Sequence, residues 1–107
     1  MKKVETITIK EVLENAPSLL WSDALFLPDT PVWELETQGI IWDPDDVESE
    51  DDEIPEVAKE MNLPVGIGIH EIRQIVDNAK QQISACSIEQ LFEAFLYYYN
   101  YDAFIVF

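Results

Sequence analysis

The sequence predicts a mainly α-helical domain of the α+β class, with about four to five helices, a small β-hairpin and one acidic loop. Two capping boxes, Thr8 with Glu11 and Ser87 with Gln90, indicate where helices begin. Apolar residues follow each box at the spacing of a helix that buries one face. Hydrophobic residues are 48% of the 107 residues, enough for one core but not for two. We therefore expect a single compact domain over residues 1–107.

The first helix should begin behind Thr8 and end at Pro17, because proline interrupts the hydrogen bonds of a helix. The next stretch, residues 18–27, is mostly apolar, and turn residues that start with Pro28 end it. We interpret this stretch as a buried helical turn and place Trp21 in the core.

A hairpin is predicted next. Residues 32–36 alternate apolar and acidic side chains, which is the pattern of a strand with one face in water. Gly39 suits a short turn, and the apolar residues 40–42 would form the second strand. Such a hairpin would point Glu34 and Glu36 outward together.

The second half of the chain begins with another helix. Pro55 suits its first position, and the pattern ends near Asn62. Residues 65–68 are interpreted as a connection without regular structure. A longer amphipathic helix should begin around Ile69, with polar side chains on its outer face.

The last helix has the most regular pattern in the chain. Behind Ser87 the apolar stripe continues without a break to Tyr99, which we place in the core. The final residues, 104–107, are too apolar to remain in water. We expect them to pack into the body as a strand or an extended segment.

Acidic residues are concentrated in one part of the chain. The formal net charge is −16, and thirteen of the 22 acidic residues lie between Asp29 and Glu60, opposed only by Lys59. The densest run, residues 43–53, should be a solvated acidic loop, since like charges repel and little of it can be buried. This field disfavours direct binding to nucleic acid or to an anionic membrane, and it favours capture of a basic protein.

Catalytic and metal-binding motifs are incomplete. A calcium loop counted from Asp43 would place Glu48 where glycine is required and Ile54 where a glutamate belongs. His70 is the only histidine, so a zinc HExxH helix is excluded. Cys86 is the only cysteine and is interpreted as a small buried thiol. We expect a binding protein with no enzymatic activity, no cofactor and no metal ion.

The expected site of action is the cytoplasm. No apolar run reaches the length of a membrane span, and the first residues lack the apolar segment of a signal peptide. A single cysteine also fits a reducing compartment, because it allows no internal disulfide.

Large aromatic residues beside a field of one sign are typical of a protein-binding face. The predicted partner-binding residues are Trp33, Glu34, Glu36, Trp42, Asp43, Asp45, Asp46, Glu48, Glu50, Asp51, Asp52 and Glu53. A secondary partner-binding set consists of Tyr97, Tyr98 and Tyr101. The equally plain alternative for these tyrosines is that they close the edge of a small core.

A short, acidic, single-domain chain with tryptophans beside an acidic run and the helical segment Ile88-Glu89-Gln90-Leu91-Phe92-Glu93 resembles the immunity proteins of bacterial toxin systems. The nearest type is the immunity protein of contact-dependent growth inhibition. The resemblance is one of type and not of motif, so it assigns no role to a particular residue.

The resemblance implies a protein that binds a basic cognate toxin, most naturally a nuclease, and occludes its cationic substrate cleft with carboxylates. Two alternatives use the same charge. One is a nucleic-acid mimic that titrates a DNA-binding or restriction protein, and the other is a regulatory domain with an acidic loop. Concentration of charge beside aromatic residues favours the inhibitor over the mimic, whose charge should follow an extended face.

Overall fold

The computed structural model of the chain describes residues 5–45 and 55–107. Over these two ranges, four α-helices pack with a four-stranded antiparallel sheet. The elements in chain order are β1 (Ile7–Thr8), α1 (Ile9–Asn15), a 3₁₀ turn (Ala16–Ser18), β2 (Ala24–Leu27), β3 (Gln38–Trp42), α2 (Glu56–Glu60), β4 (Val65–Gly68), α3 (Ile69–Gln82) and α4 (Ile88–Tyr101).

Strand β2 lies inside the sheet, whose order is β1-β3-β2-β4. Ala24 at the start of β2 is level with Trp42 at the end of β3 and with Gly68 at the end of β4. At the other end of β3, Gln38 pairs with Thr8 of β1. The register therefore brings the first residue of β2 and the last residues of β3 and β4 to the same end of the sheet.

The predicted mainly α-helical architecture with a small hairpin is wrong, because the domain is α+β with a complete four-stranded sheet. The apolar run 24–27 is the inner strand β2 and not a helical turn, and residues 65–68 are the edge strand β4 and not a connection. Residues 32–36 form no strand, and β3 pairs with β1 and β2 instead. The error is physical: a short run buried on both faces has no alternation that would distinguish strand from helix.

The sheet is covered on both faces. Leu25, Leu27 and Ile67 face the larger core, which α1, α3 and α4 complete. Phe26 and Ile40 face the opposite way, into a smaller cluster with Ala24, Ala58 and Leu63. Successive residues of β2 thus enter different cores, which explains why all four are buried.

Both predicted capping boxes are confirmed. The Thr8 hydroxyl accepts a hydrogen bond from the Glu11 amide at 3.1 Å, and the Glu11 carboxylate accepts one from the Thr8 amide at 3.2 Å. Ser87 and Gln90 make the same reciprocal pair at the start of α4. The helices expected behind Thr8, around Ile69 and behind Ser87 are all present.

Two aromatic residues assigned to the core are exposed. Trp21 is 62% exposed, because Asp23 N donates to Leu20 O at 3.0 Å and closes a turn with Trp21 at its tip. Tyr99 is 47% exposed, although one side of its ring packs against Trp33.

The C-terminal residues are attached to the end of α3 by one side chain. Gln82 Nε2 donates to Ile105 O at 2.8 Å, and Phe107 N donates to Gln82 Oε1 at 3.0 Å. Ile105 packs against the larger core, while Phe104, Val106 and Phe107 are exposed. The segment forms no strand, and only Ile105 of its four apolar side chains is half-buried, so the predicted packing into the body holds for that residue alone.

Strand β3 approaches the backbone of β2 closely at Gly39. A side chain at Gly39 would collide with the Phe26 carbonyl oxygen, a backbone atom that cannot move without disturbing β2. Gly39→Ala should therefore lower the free energy of unfolding by about 2 kcal/mol or more. Urea denaturation followed by circular dichroism measures the change.

Gly68→Ala is the matched control, since its Cβ would lie 2.6 Å from Cε1 of the exposed His70 ring, which can rotate away. It should cost less than about 1 kcal/mol. Equal unfolding midpoints for Gly39→Ala and the unsubstituted protein would contradict the close approach.

Candidate functional site

Carboxylates lie at the end of the sheet where β2 begins and β3 ends. Ala24 and Trp42 are paired there, so Asp23 immediately precedes the pair and Asp43 immediately follows it. Ile69 N donates to Asp23 O at 2.9 Å, and this bond connects the same end of the sheet to the start of α3. We call Asp23, Asp43 and Asp45 the acidic sheet end.

Local hydrogen bonding shapes the acidic sheet end. Asp43 Oδ1 accepts a bond from Asp45 N at 2.9 Å, which turns the chain as it leaves β3. Asp43 and Asp45 are exposed, and Asp23 is half-buried. Burial, and then repulsion by Asp43, raise the pKa of the Asp23 carboxyl. Two carboxylates are therefore held close enough to repel each other.

The described members of the predicted acidic set lie at the two ends of β3. Glu34 and Glu36 are exposed, but they belong to the loop that precedes β3, whereas Asp43 and Asp45 follow it. A strand rises about 3.3 Å per residue, so the two ends of β3 are roughly 13 Å apart. Asp46, Glu48, Glu50, Asp51, Asp52 and Glu53 lie outside the described residues.

Trp33 and Trp42 have different environments. Trp33 is 8% exposed, and its indole N–H donates to Pro28 O at 2.8 Å. Its ring centroid lies 4.6 Å from that of Tyr99 and 6.2 Å from that of Phe95, so Trp33 is a core residue. Trp42 is half-buried against the smaller core, at the acidic sheet end.

The three tyrosines of the secondary set lie on two faces of α4. Tyr97 and Tyr101 are one helical turn apart and exposed, with ring centroids 4.7 Å apart. Tyr98 is half-buried, and its ring lies 5.3 Å from that of Phe104. Tyr98 lines a cleft between α3 and α4 together with Glu71 and Asp102. The spacing of Tyr98 and Asp102, four residues apart, was the available sequence signal for this grouping.

Trp21, predicted to lie in the core, is exposed next to α3. It lines a shallow depression of about 210 Å³ with His70, Arg73, Gln74 and Asp77 of α3. The turn that exposes Trp21 ends at Asp23, a member of the acidic sheet end. An exposed indole is thus joined to the acidic sheet end by a single turn of the chain, whereas Trp33, predicted to flank the acidic residues, is buried.

A family model matches residues 6–107 of the sequence. The chain belongs to the family DUF7716, a domain of unknown function. Since the match extends over nearly the whole chain, the sheet and all four helices are parts of this one family domain. Nothing matches among the curated proteins or among the solved structures.

The sequence of this DUF7716 domain raises two further kinds of reactive site, a nucleophilic thiol and a metal centre. Burial raises the pKa of the half-buried Cys86 thiol, and the nearby Lys80 opposes that shift only in part. A thiol with a raised pKa is a poor nucleophile at neutral pH. In the described ranges, no three His, Cys, Asp or Glu side chains are grouped as metal ligands would be.

Length and hydropathy decide whether a helix could lie across a bilayer. None of the helices in residues 5–45 and 55–107 combines enough length with enough apolar character to do so.

The acidic sheet end generates a prediction on pH. Because the pKa of Asp23 is raised on folding, the folded chain binds its proton more readily than the unfolded chain, and this contribution to stability grows as pH falls toward the ordinary value of 3.8. Asp23→Asn should remove that contribution and should be at least as stable as the unsubstituted protein at neutral pH. Urea midpoints measured across the acidic range give the comparison.

Asp43→Asn is the partner variant. Burial is the larger cause of the Asp23 shift, so losing the Asp43 charge should reduce the pH dependence only in part. The assignment fails if Asp23→Asn leaves the pH profile of stability unaltered or destabilises the protein at neutral pH.

Proposed function

We propose that this domain is an immunity-type inhibitor that binds a basic cognate toxin of the nuclease class and occludes its cationic substrate cleft. The observation that carries the proposal is the acidic sheet end, where the pairing of Ala24 with Trp42 brings Asp23 and Asp43 together and the charge of Asp43 contributes to the raised pKa of Asp23. An arrangement that costs stability in the free protein is favourable once a cation lies between the carboxylates. A basic partner supplies that cation.

Carboxylates suit this role for two physical reasons. Before contact, a net charge of −16 attracts a basic protein and raises the association rate, by roughly 10- to 1000-fold at low salt. After contact, exposed carboxylates such as Asp43 and Asp45 accept charge-assisted hydrogen bonds from the arginine and lysine side chains that would otherwise hold substrate phosphates. Neither step requires proton transfer.

Trp21 is the candidate for a large side chain that anchors the partner. Binding energy at protein interfaces is concentrated in a few large side chains, and exposed tryptophan is prominent among them. Trp21 is 62% exposed and lies two residues before Asp23. Buried Trp33 is excluded from direct contact unless the core opens.

The size of an interface indicates how much surface must take part. A standard complex covers about 800 Å² on each partner, which is roughly one eighth of the 6849 Å² accessible surface of this chain. Three aspartates cannot provide that area. The proposal therefore includes Trp21, Trp42 and the acidic residues that follow Asp45 in the sequence.

The nucleic-acid mimic remains the alternative because acidic side chains lie at both ends of β3. A mimic would use both groups along an extended face, whereas an inhibitor bound at the acidic sheet end needs only one. Two double variants separate these functions: Asp43→Lys with Asp45→Lys, and Glu34→Lys with Glu36→Lys. Each changes the net charge by the same amount, two units at each of two positions, so long-range attraction falls equally.

Binding kinetics against the purified nuclease domain of a toxin encoded beside this gene provide the test. Asp43→Lys with Asp45→Lys should reduce the association rate by about tenfold or more and flatten its dependence on salt. Glu34→Lys with Glu36→Lys should reduce it much less. Trp21→Ala should mainly raise the dissociation rate.

Thermal melts serve as the folding control, since the substituted side chains are exposed and surface substitutions usually change the free energy of unfolding by less than about 0.5 kcal/mol. Equal losses of association rate in the two double variants, with a restriction or DNA-binding protein as the partner, would favour the mimic. The inhibitor function is refuted if the neighbouring genes encode no toxin, or if the domain neither binds that toxin nor protects cells that express it.

A further inference from the structure

A cleft of about 180 Å³ opens between α3 and α4, beside the edge strand β4. Its floor consists of the buried side chains of Ile67, Ile75 and Phe95. Its rim carries Glu71, Tyr98, Tyr99 and Asp102. The volume is below the roughly 300 Å³ at the lower end of pockets for drug-sized ligands. The cleft therefore has room for one side chain or a similarly small group.

The rim is negatively charged. Burial, and then the charges of Glu71 and Asp102, raise the pKa of the Tyr98 phenol. Both carboxylates therefore act on the same phenol, one from the first turn of α3 and the other from the end of α4. An anionic ligand would be repelled here, and a cation would be attracted.

Asp102 has an unfavourable position in the free protein. It ends α4 with φ at 53°, in the left-handed region, and its amide donates to Tyr98 O at 2.8 Å. Asparagine or glycine commonly occupies such a position, and an acidic residue at the negative end of a helix is electrostatically unfavourable. The last turn of α4 contains no basic residue that would compensate. A bound cation would relieve this repulsion.

The aromatic rings of the rim are supported from behind. Tyr99 packs against Trp33 with centroids 4.6 Å apart, and Tyr98 packs against Phe104 at 5.3 Å. Supported rings present fixed faces and edges, so little conformational entropy is lost when a ligand binds. A flat cation over such a ring gains cation–π attraction.

We propose that the α3–α4 cleft binds an arginine side chain of a protein or peptide. The guanidinium group lies at the rim with Glu71 and Asp102, and its methylene groups cover the apolar floor. Arginine fits better than lysine because its planar cation stacks on aromatic rings and donates paired hydrogen bonds to carboxylates. This assignment rests on the residues of the cleft alone and not on the inhibitor function.

Titration with N-acetyl-arginine amide, followed by nuclear magnetic resonance, tests the proposal. The ring signals of Tyr98 and Tyr99 should shift, with a dissociation constant on the order of millimolar for so small a ligand. N-acetyl-citrulline amide has nearly the same shape without the charge, and it should shift these signals at least about tenfold less at equal concentration.

Variants at the rim locate the site. Asp102→Asn and Glu71→Gln should each weaken binding by about fivefold or more. Glu93→Gln is the matched control, because it removes one exposed carboxylate from the same helix α4 at a position outside the cleft. Asp102→Asn should fold at least as well as the unsubstituted protein, since asparagine tolerates the left-handed conformation without charge.

Three results would overturn the assignment. They are unshifted Tyr98 and Tyr99 signals in saturating arginine amide, equal weakening by Glu93→Gln and Asp102→Asn, and equal binding of N-acetyl-lysine amide. The kinetic test of the inhibitor function depends on Asp43 and Asp45, whereas this titration uses a free ligand and different residues. Either proposal can therefore fail while the other stands.

Discussion

The inner strand β2 is the constraint on which the other layers of the domain depend. Its four residues, Ala24–Leu27, are all buried, and their backbone groups pair with β3 on one side and β4 on the other. Buried backbone groups without partners would cost about as much as lost hydrogen bonds, so β2 is stable only when both neighbours are in place. The segments that adjoin β3 and β4 in the chain then pack against one of the two cores.

The register of β2 also decides where the charged groups lie. Asp23 precedes the strand, and the pairing of Ala24 with Trp42 brings Asp43 to the same end of the sheet. Pro28 follows the strand, and its carbonyl holds the Trp33 indole at the opposite end. Displacement of β3 by one residue would turn every side chain of that strand to the other face. The acidic sheet end is therefore a consequence of backbone pairing and not of attraction among its side chains.

The parts of the fold that could be predicted from sequence are those with local determinants. A capping box such as Thr8 with Glu11 and the stripe that follows Ser87 involve residues three or four apart, so α1 and α4 were predicted correctly. The sheet depends on pairing between distant residues. Ala24–Leu27 carries no sign that its partners lie at positions 38–42 and 65–68. Glycines in β4 also suggested a connection, although Gly66 leaves space for the Phe26 ring.

The candidate site was predictable in its chemistry and not in its geometry. The excess of acidic residues is visible in the sequence, but the separation of Glu34 and Glu36 from Asp43 and Asp45 follows from the sheet. Trp21 was assigned to the core because its neighbours are apolar, and a single turn between Leu20 and Asp23 exposes it instead. The same limit applies to Glu71 and Asp102, which are distant in sequence and line one cleft only because α3 and α4 are adjacent.

Two places in residues 5–45 and 55–107 violate an ordinary electrostatic rule, and both would gain from a cation. Asp23 is half-buried and its pKa is raised, first by burial and then by the charge of Asp43, and Asp102 ends a helix where a neutral or basic residue would be more stable. The first turn of α3 connects them, since Ile69 bonds to Asp23 and Glu71 lines the cleft. A basic group at either place would therefore remove a repulsion that is already present in the free protein.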